Sequence, residues 1–166
     1  MNSGSAYVYA LEPGGIAFDI AALRAAVAAS LAGLGPGDDG FDELASVLIF
    51  LDETLARLSE GENDTALVLL ESAMGKLKDA AQKGIDCASY PVVLLFIGLE
   101  AFVEAEILAS GASPSAIADA LLELQVGIGY RDRGIARFDA GDCVGAFDAF
   151  KAAADKWKSA LQKVMP

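Results

Sequence analysis

Apolar residues recur along the chain at spacings of three and four, the period of helices with one inward face. The pattern predicts six helices. The first is capped by Asp19 and runs through an Ala-rich stretch to Leu34, where Gly33, Gly35, Pro36 and Gly37 stop it. The second follows Asp38 and Asp39 and carries Phe41, Leu44, Leu48, Leu51, Leu55 and Leu58 on one face, ending at Gly61. The third spans about 63–84, with Ala66, Leu69, Leu70, Ala73 and Leu77 inward. After a connector, Pro91 suits the first turn of a fourth helix that ends at Gly111. Ser113 caps a fifth helix with Pro114 at its first position, running to about Phe138. Gly141 and Asp142 turn the chain into a sixth, which carries Phe147, Phe150, Ala153, Ala154, Trp157 and Leu161 to the C-terminus. Ahead of all six, Ala6–Leu11 and Ile16–Phe18 flank a Pro-Gly turn signal, so residues 1–18 read as a short β-hairpin or an irregular arm.

Sliding the chain over itself by 80 residues aligns it without gaps. Ten of the 28 positions from 56 to 83 are identical, among them Gly61 with Gly141, Ala66 with Ala146 and Lys76-x-Lys78 with Lys156-x-Lys158. Similar pairs fill the gaps, such as Leu70 with Phe150 and Leu77 with Trp157, and Phe50 falls on Tyr130. The expectation is an internal duplication: two three-helix units, 19–84 and 91–166, in one compact all-α six-helix bundle. Helices two with three, and five with six, form antiparallel hairpins because their linkers are short. Copies of one unit bury their apolar faces against each other about a pseudo-twofold axis.

The hairpins resemble those of tetratricopeptide repeats. Tyr130, Gly134, Phe138, Gly141, Asp142, Ala146, Phe150 and Ala153 match that motif's spacing in the second, and Leu58, Gly61, Glu62, Ala66, Leu70 and Ala73 in the first. The chain departs from the family in having no Pro after the second helix, a repeat distance of 80 where the family has about 34, and an additional helix before each hairpin. The resemblance implies binding of a peptide or protein.

Composition narrows the chemistry. The 166 residues are 54% apolar and the mean hydropathy is +0.43, which excludes a disordered chain. The formal charge of −12 disfavours nucleic acid and anionic membrane as partners. There is no histidine, so His-based acid/base catalysis, His-activated nucleophiles and His-containing metal sites are excluded. Gly35 to Gly40 has the look of a calcium loop, but Ser46 stands where the twelfth, bidentate Glu belongs. Glu100, Glu104 and Glu106 read as a solvated face, and no grouping has nucleophile-and-base spacing. No enzymatic activity, cofactor or metal is expected. Cys87 and Cys143 lack a CxxC spacing and are read as two reduced thiols, which places the chain in the cytoplasm.

Two function classes remain. The first is a non-enzymatic helical-repeat interaction or adaptor module, self-associating as a homodimer. Its partner protein would contact Tyr130, Arg133 and Arg137, with Phe50, Glu53 and Arg57 on the equivalent face of the first half. The all-round apolar run Val92–Leu99, or the N-terminal arm, would supply the homodimer contact. The alternative is a carrier of an apolar small molecule or lipid, held between the halves near Phe96, Phe102, Phe147 and Trp157. All seven lysines fall in the third and sixth helices, where they either complement helix dipoles or form basic patches for an acidic partner.

Overall fold

A computed structural model describes residues 15–166. Among them are six helices and no strand: α1 (Ile16–Ala32), α2 (Phe41–Ser59), α3 (Asn63–Gln82), α4 (Val92–Leu108), α5 (Pro114–Asp139) and α6 (Cys143–Val164). Four of the starts and stops follow the sequence signals closely. The Ser113 hydroxyl accepts from the Ala116 N–H, with Pro114 at the first helical position, and the Asp142 carboxylate accepts from the Gly145 N–H. Gly61 and Gly141 end their helices at φ 77° and 82°, a left-handed conformation that glycine adopts without a Cβ clash.

The first helix differs from expectation. Gly15, not Asp19, is its N-cap, and Ile16–Phe18, expected as the second strand of a hairpin, forms its first turn. Ile16 and Ile20 lie four apart and both are buried, so the helical register wins over strand pairing at this point. The other expected strand, Ala6–Leu11, lies outside the described residues.

The helices form two layers. In the first, α2 packs on α3, α3 on α6 and α6 on α5, giving the row α2–α3–α6–α5. In the second, α1 lies on α2, α4 lies on α5 and α6, and α1 and α4 touch. Both cross-contacts between the halves are antiparallel. Along α3–α6, Lys78 reaches Asp148 (2.9 Å) and Lys158 reaches Glu71 (3.7 Å). Along α1–α4, the Tyr90 hydroxyl beside the start of α4 donates to Ser30 Oγ near the end of α1 (2.9 Å), while Gly98 faces Ile16 and Asp19.

The first layer's core shows how the halves differ. Trp157 and Phe150 are fully buried and press against α5 at Gly127 and Gly134. A Cβ on Gly127 would overlap the indole, and one on Gly134 would lie 2.7 Å from the Phe150 ring. The indole N–H donates to the Leu124 carbonyl (3.1 Å), so the ring's one polar atom is satisfied in the core. Eighty residues earlier, Leu77 and Leu70 stand on α3, and buried Val47 and Thr54 stand on α2. Large-against-small in one hairpin is medium-against-medium in the other, and close packing requires such compensation. The turn inside each hairpin keeps the same offset, with α2 ending at Ser59 and α5 at Asp139 and α3 beginning at Asn63 and α6 at Cys143, whereas the outer ends do not: α2 begins at Phe41 and α5 at Pro114.

Candidate functional site

The expected partner residues lie on α2 and α5, at opposite ends of the row, and these two helices do not touch. They therefore form two separate surfaces and no common groove. On α5, Arg133 is exposed and its guanidinium lies 4.7 Å from the centre of the Tyr130 ring, a cation–π arrangement. Arg137 is exposed on the next turn. On α2, Glu53 is exposed, and Arg57 is occupied by Glu60 (3.0 Å) and Glu62 (3.1 Å) around the α2–α3 turn. A neighbouring arginine, Arg131, is tied inward to Glu100 (2.7 Å) and Asp132 (2.9 Å). Burial works against its charge, yet these two carboxylates hold the guanidinium above its ordinary value. Glu100 thus belongs to an α4–α5 ion pair and not to a solvated face.

Phe50 has a different setting. It is half-buried and lines a cleft of about 330 Å³ with Ser72, Gly75, Lys76, Lys78, Asp79 and Lys151. Three elements build it: α2 supplies the aromatic wall, α3 the floor and two lysines, and α6 the third. Gly75 lets the helices approach, with Lys151 Cε 3.5 Å from the place a Cβ would take. The Lys78 ammonium is fixed by Asp148, whose carboxyl it holds below the usual aspartate range. Among the described residues, Lys76 and Lys151 make no direct ion pair; Asp79 lines the cleft beside them, and Glu43 and Asp148 feel their charge from further off.

The cleft belongs to a larger charge division. The seven lysines lie on α3, its C-cap Lys83 and α6, together with seven carboxylates: Asp64, Glu71, Asp79, Asp148 and Asp155 within the two helices, and Glu62 and Asp142 at their N-caps. The central seam is thus neutral overall in a chain of formal charge −12, and it holds all of the chain's lysines. Lys83 is held by Glu43 (2.7 Å) and Lys158 by Asp155 (2.7 Å), and each carboxylate raises its ammonium above the ordinary lysine value. The lysine clustering was visible in the sequence. Its convergence with Phe50 was not, because residues on α2, α3 and α6 meet only through tertiary packing.

The residues expected around an apolar ligand are core residues. Phe96, Phe147 and Trp157 are fully buried, and Phe102 is half-buried. The Phe96 ring lies 4.6 Å from Phe150 and 6.0 Å from Trp157, centre to centre, so these rings pack on one another within the second half, between α4 and α6. A second cleft, of about 210 Å³, is lined by Asn63, Asp64, Glu106 and the chain's last residues, and the Asn63 amide donates to Glu106 (3.1 Å).

The cysteines overturn an expectation. Cys87 and Cys143 are joined in a disulfide, with Cα atoms 5.9 Å apart, and are not reduced thiols. The antiparallel α3–α6 seam explains this: it brings the connector that follows α3 beside the start of α6. The premise on which a reducing cytoplasm was expected is thereby removed. No helix among the described residues is long and apolar enough to cross a membrane, and no cluster there could hold a metal ion.

No family model, curated protein or solved structure matches the chain.

Proposed function

We propose that the chain is a non-enzymatic, helical protein-interaction module that receives an acidic segment of a partner protein in the Phe50–Lys76–Lys78–Lys151 cleft. The observation that carries this reading is the charge division: an acidic chain gathers its lysines on one seam and leaves two of them unpaired beside an aromatic wall. Such a patch attracts carboxylates and repels further copies of the acidic faces, which gives selectivity and faster encounter. Part of the recipe recurs 80 residues on, with Tyr130 for Phe50 and Lys156 and Lys158 for Lys76 and Lys78. Glu71 stands in the place of Lys151, however, and Lys158 is paired with Glu71 and Asp155, which supports at most a second, weaker contact extending towards Arg133 and Arg137. The recurring hairpin turn, and the exchange of Val47 and Leu77 for Gly127 and Trp157 at matching positions, support descent from a duplicated three-helix unit. The resemblance to tetratricopeptide hairpins supports peptide binding. The disulfide favours an oxidising compartment over the cytoplasm.

The test is fluorescence anisotropy with a labelled peptide of glutamates around one phenylalanine. Wild type should bind it, and the combined Lys76→Glu and Lys151→Glu variant should bind at least about tenfold more weakly. Raising the salt should weaken binding as well. No binding by wild type, or equal binding by the variant, contradicts the reading.

A further inference from the structure

Helices α1 and α4 are apolar on both sides. Inward, α1 buries Ile16, Ile20, Leu23 and Val27, and α4 buries Val92, Leu95, Phe96, Leu99, Val103 and Ile107 against the first layer. On the opposite side of each helix runs a second apolar stripe, exposed: Phe18, Ala21 and Ala25 on α1, and Leu94, Ile97 and Leu108 on α4. Exposure is 61% at Phe18, 65% at Leu94 and 58% at Leu108, which for side chains this large is a substantial cost in water. Both inward stripes face the first layer and the helices lie side by side, so the two outer stripes form one face. On α1 the partly exposed Arg24 lies to the side of the stripe, tied to Asp52 of α2, and on α4 the stripe carries one exposed charge, Glu104, a turn before Leu108.

We propose that this face is the interface with a second copy of the chain. Three features select that occupant. First, α1 and α4 are antiparallel, so the face has an approximate twofold character of its own, the self-complementarity that an isologous contact needs. Second, two chains of charge −12 repel almost everywhere, but meeting here they oppose mainly alanine, leucine and isoleucine, with Glu104 the one exposed charge on the stripe. Third, the size fits. Two helices of 17 residues at about 1.5 Å per residue and roughly 8–10 Å apart make a corrugated face of about 500 Å² in plan. Its accessible area then approaches the roughly 800 Å² per partner of a stable dimer. The small α1 residues let the partner's helices come close, and Phe18, Leu94 and Ile97 fill the remaining space. This interface deepens the interaction-module reading and is independent of the lysine cleft.

Sedimentation equilibrium on the full chain from 1 to 100 μM, ranges set by typical dimer affinities of about micromolar, tests it. Wild type should be a dimer, and the combined Leu94→Lys and Ile97→Lys variant a monomer of unchanged helix content. Should that variant not fold, Ala101→Glu, a single exposed change, reads the same outcome. A monomeric wild type overturns the proposal, and so does a dimer that both variants leave intact. Co-sedimentation of a monomeric wild type with phosphatidylcholine vesicles would assign the face to lipid instead. The glutamate peptide keeps the readings apart: a wild-type dimer that ignores the peptide defeats the cleft alone, and a monomer that binds it defeats this interface alone.

Discussion

The α3–α6 seam and the α1–α4 pair are the two places where the halves of the chain meet, and they are built on different rules. In the seam each helix is amphipathic: a core stripe of Leu70, Ala73, Leu77, Phe150, Ala153 and Trp157 lies inside, and lysines with their carboxylate partners lie outside. In the α1–α4 pair the outer side is also largely apolar, carrying Phe18, Leu94, Ile97 and Leu108 among alanines. An amphipathic helix completes its surroundings within one chain, whereas a helix apolar all round needs something more to cover it. The seam therefore accounts for folding of the single chain and offers charge to a partner. The second layer accounts for the unusually high hydropathy and points to association.

The largest expected effect falls on the α5–α6 packing that backs the seam. Gly127→Val would drive a side chain into the Trp157 indole and should cost about 3 kcal/mol or more, read by urea unfolding. Adding Trp157→Leu recreates the Val47 and Leu77 pair of the first half and should restore most of that loss, a coupling that a double-mutant cycle measures. Two independent losses would mean that the halves do not share one packing scheme.

Next comes the covalent tie. Reduction of Cys87–Cys143, which are 56 residues apart in sequence, should lower stability by about 2–4 kcal/mol. The enclosed segment holds α4 and α5, so the denatured chain regains the freedom of that loop. Denaturant unfolding with and without a phosphine reductant measures the difference. An unchanged midpoint would mean that the bond is not formed in solution.

The smallest effect contrasts two aspartates by pH. In the seam, Lys78 holds the Asp148 carboxyl below the ordinary value. Its contribution is present above the unfolded-state pKa, about 3.9, and is lost as pH falls through the lower folded value. At the α1–α4 contact, burial raises the Asp19 carboxyl. Its contribution is full below the unfolded-state pKa and is lost as pH rises through the folded value. Carboxyl NMR titration should show the two shifted in opposite directions, with Lys78→Gln returning Asp148 towards the ordinary value and leaving Asp19 in place. Because Asp148 is largely exposed, solvent screening keeps the effect on stability slight.

The all-helical fold was legible in the sequence because each helix has a local signal: Ser113-Pro114 at one start, Gly61 and Gly141 at two turns, and threes and fours of apolar residues between. The N-terminus of α1 was misread because Pro13-Gly14-Gly15 suits a hairpin turn as well as a helix entry, and only the burial of Ile16 beside Ile20 separates them. The disulfide was illegible for a different reason. The offset of 80 does not place Cys87 on Cys143; their meeting follows from the antiparallel α3–α6 pairing, which no local pattern encodes. The cleft shares that origin. Phe50 was singled out as a partner residue, but the lysines beside it come from two other helices.

The division between a charged seam for a partner and an apolar layer for a second copy is tested most directly by amide chemical-shift mapping on the full chain. Peptide addition should move the signals around Phe50, Ser72–Asp79 and Lys151, and dilution should move those of α1 and α4. The two sets should scarcely overlap. If the peptide moves α1 and α4 instead, or if dilution moves nothing there, the assignment of the two faces is wrong.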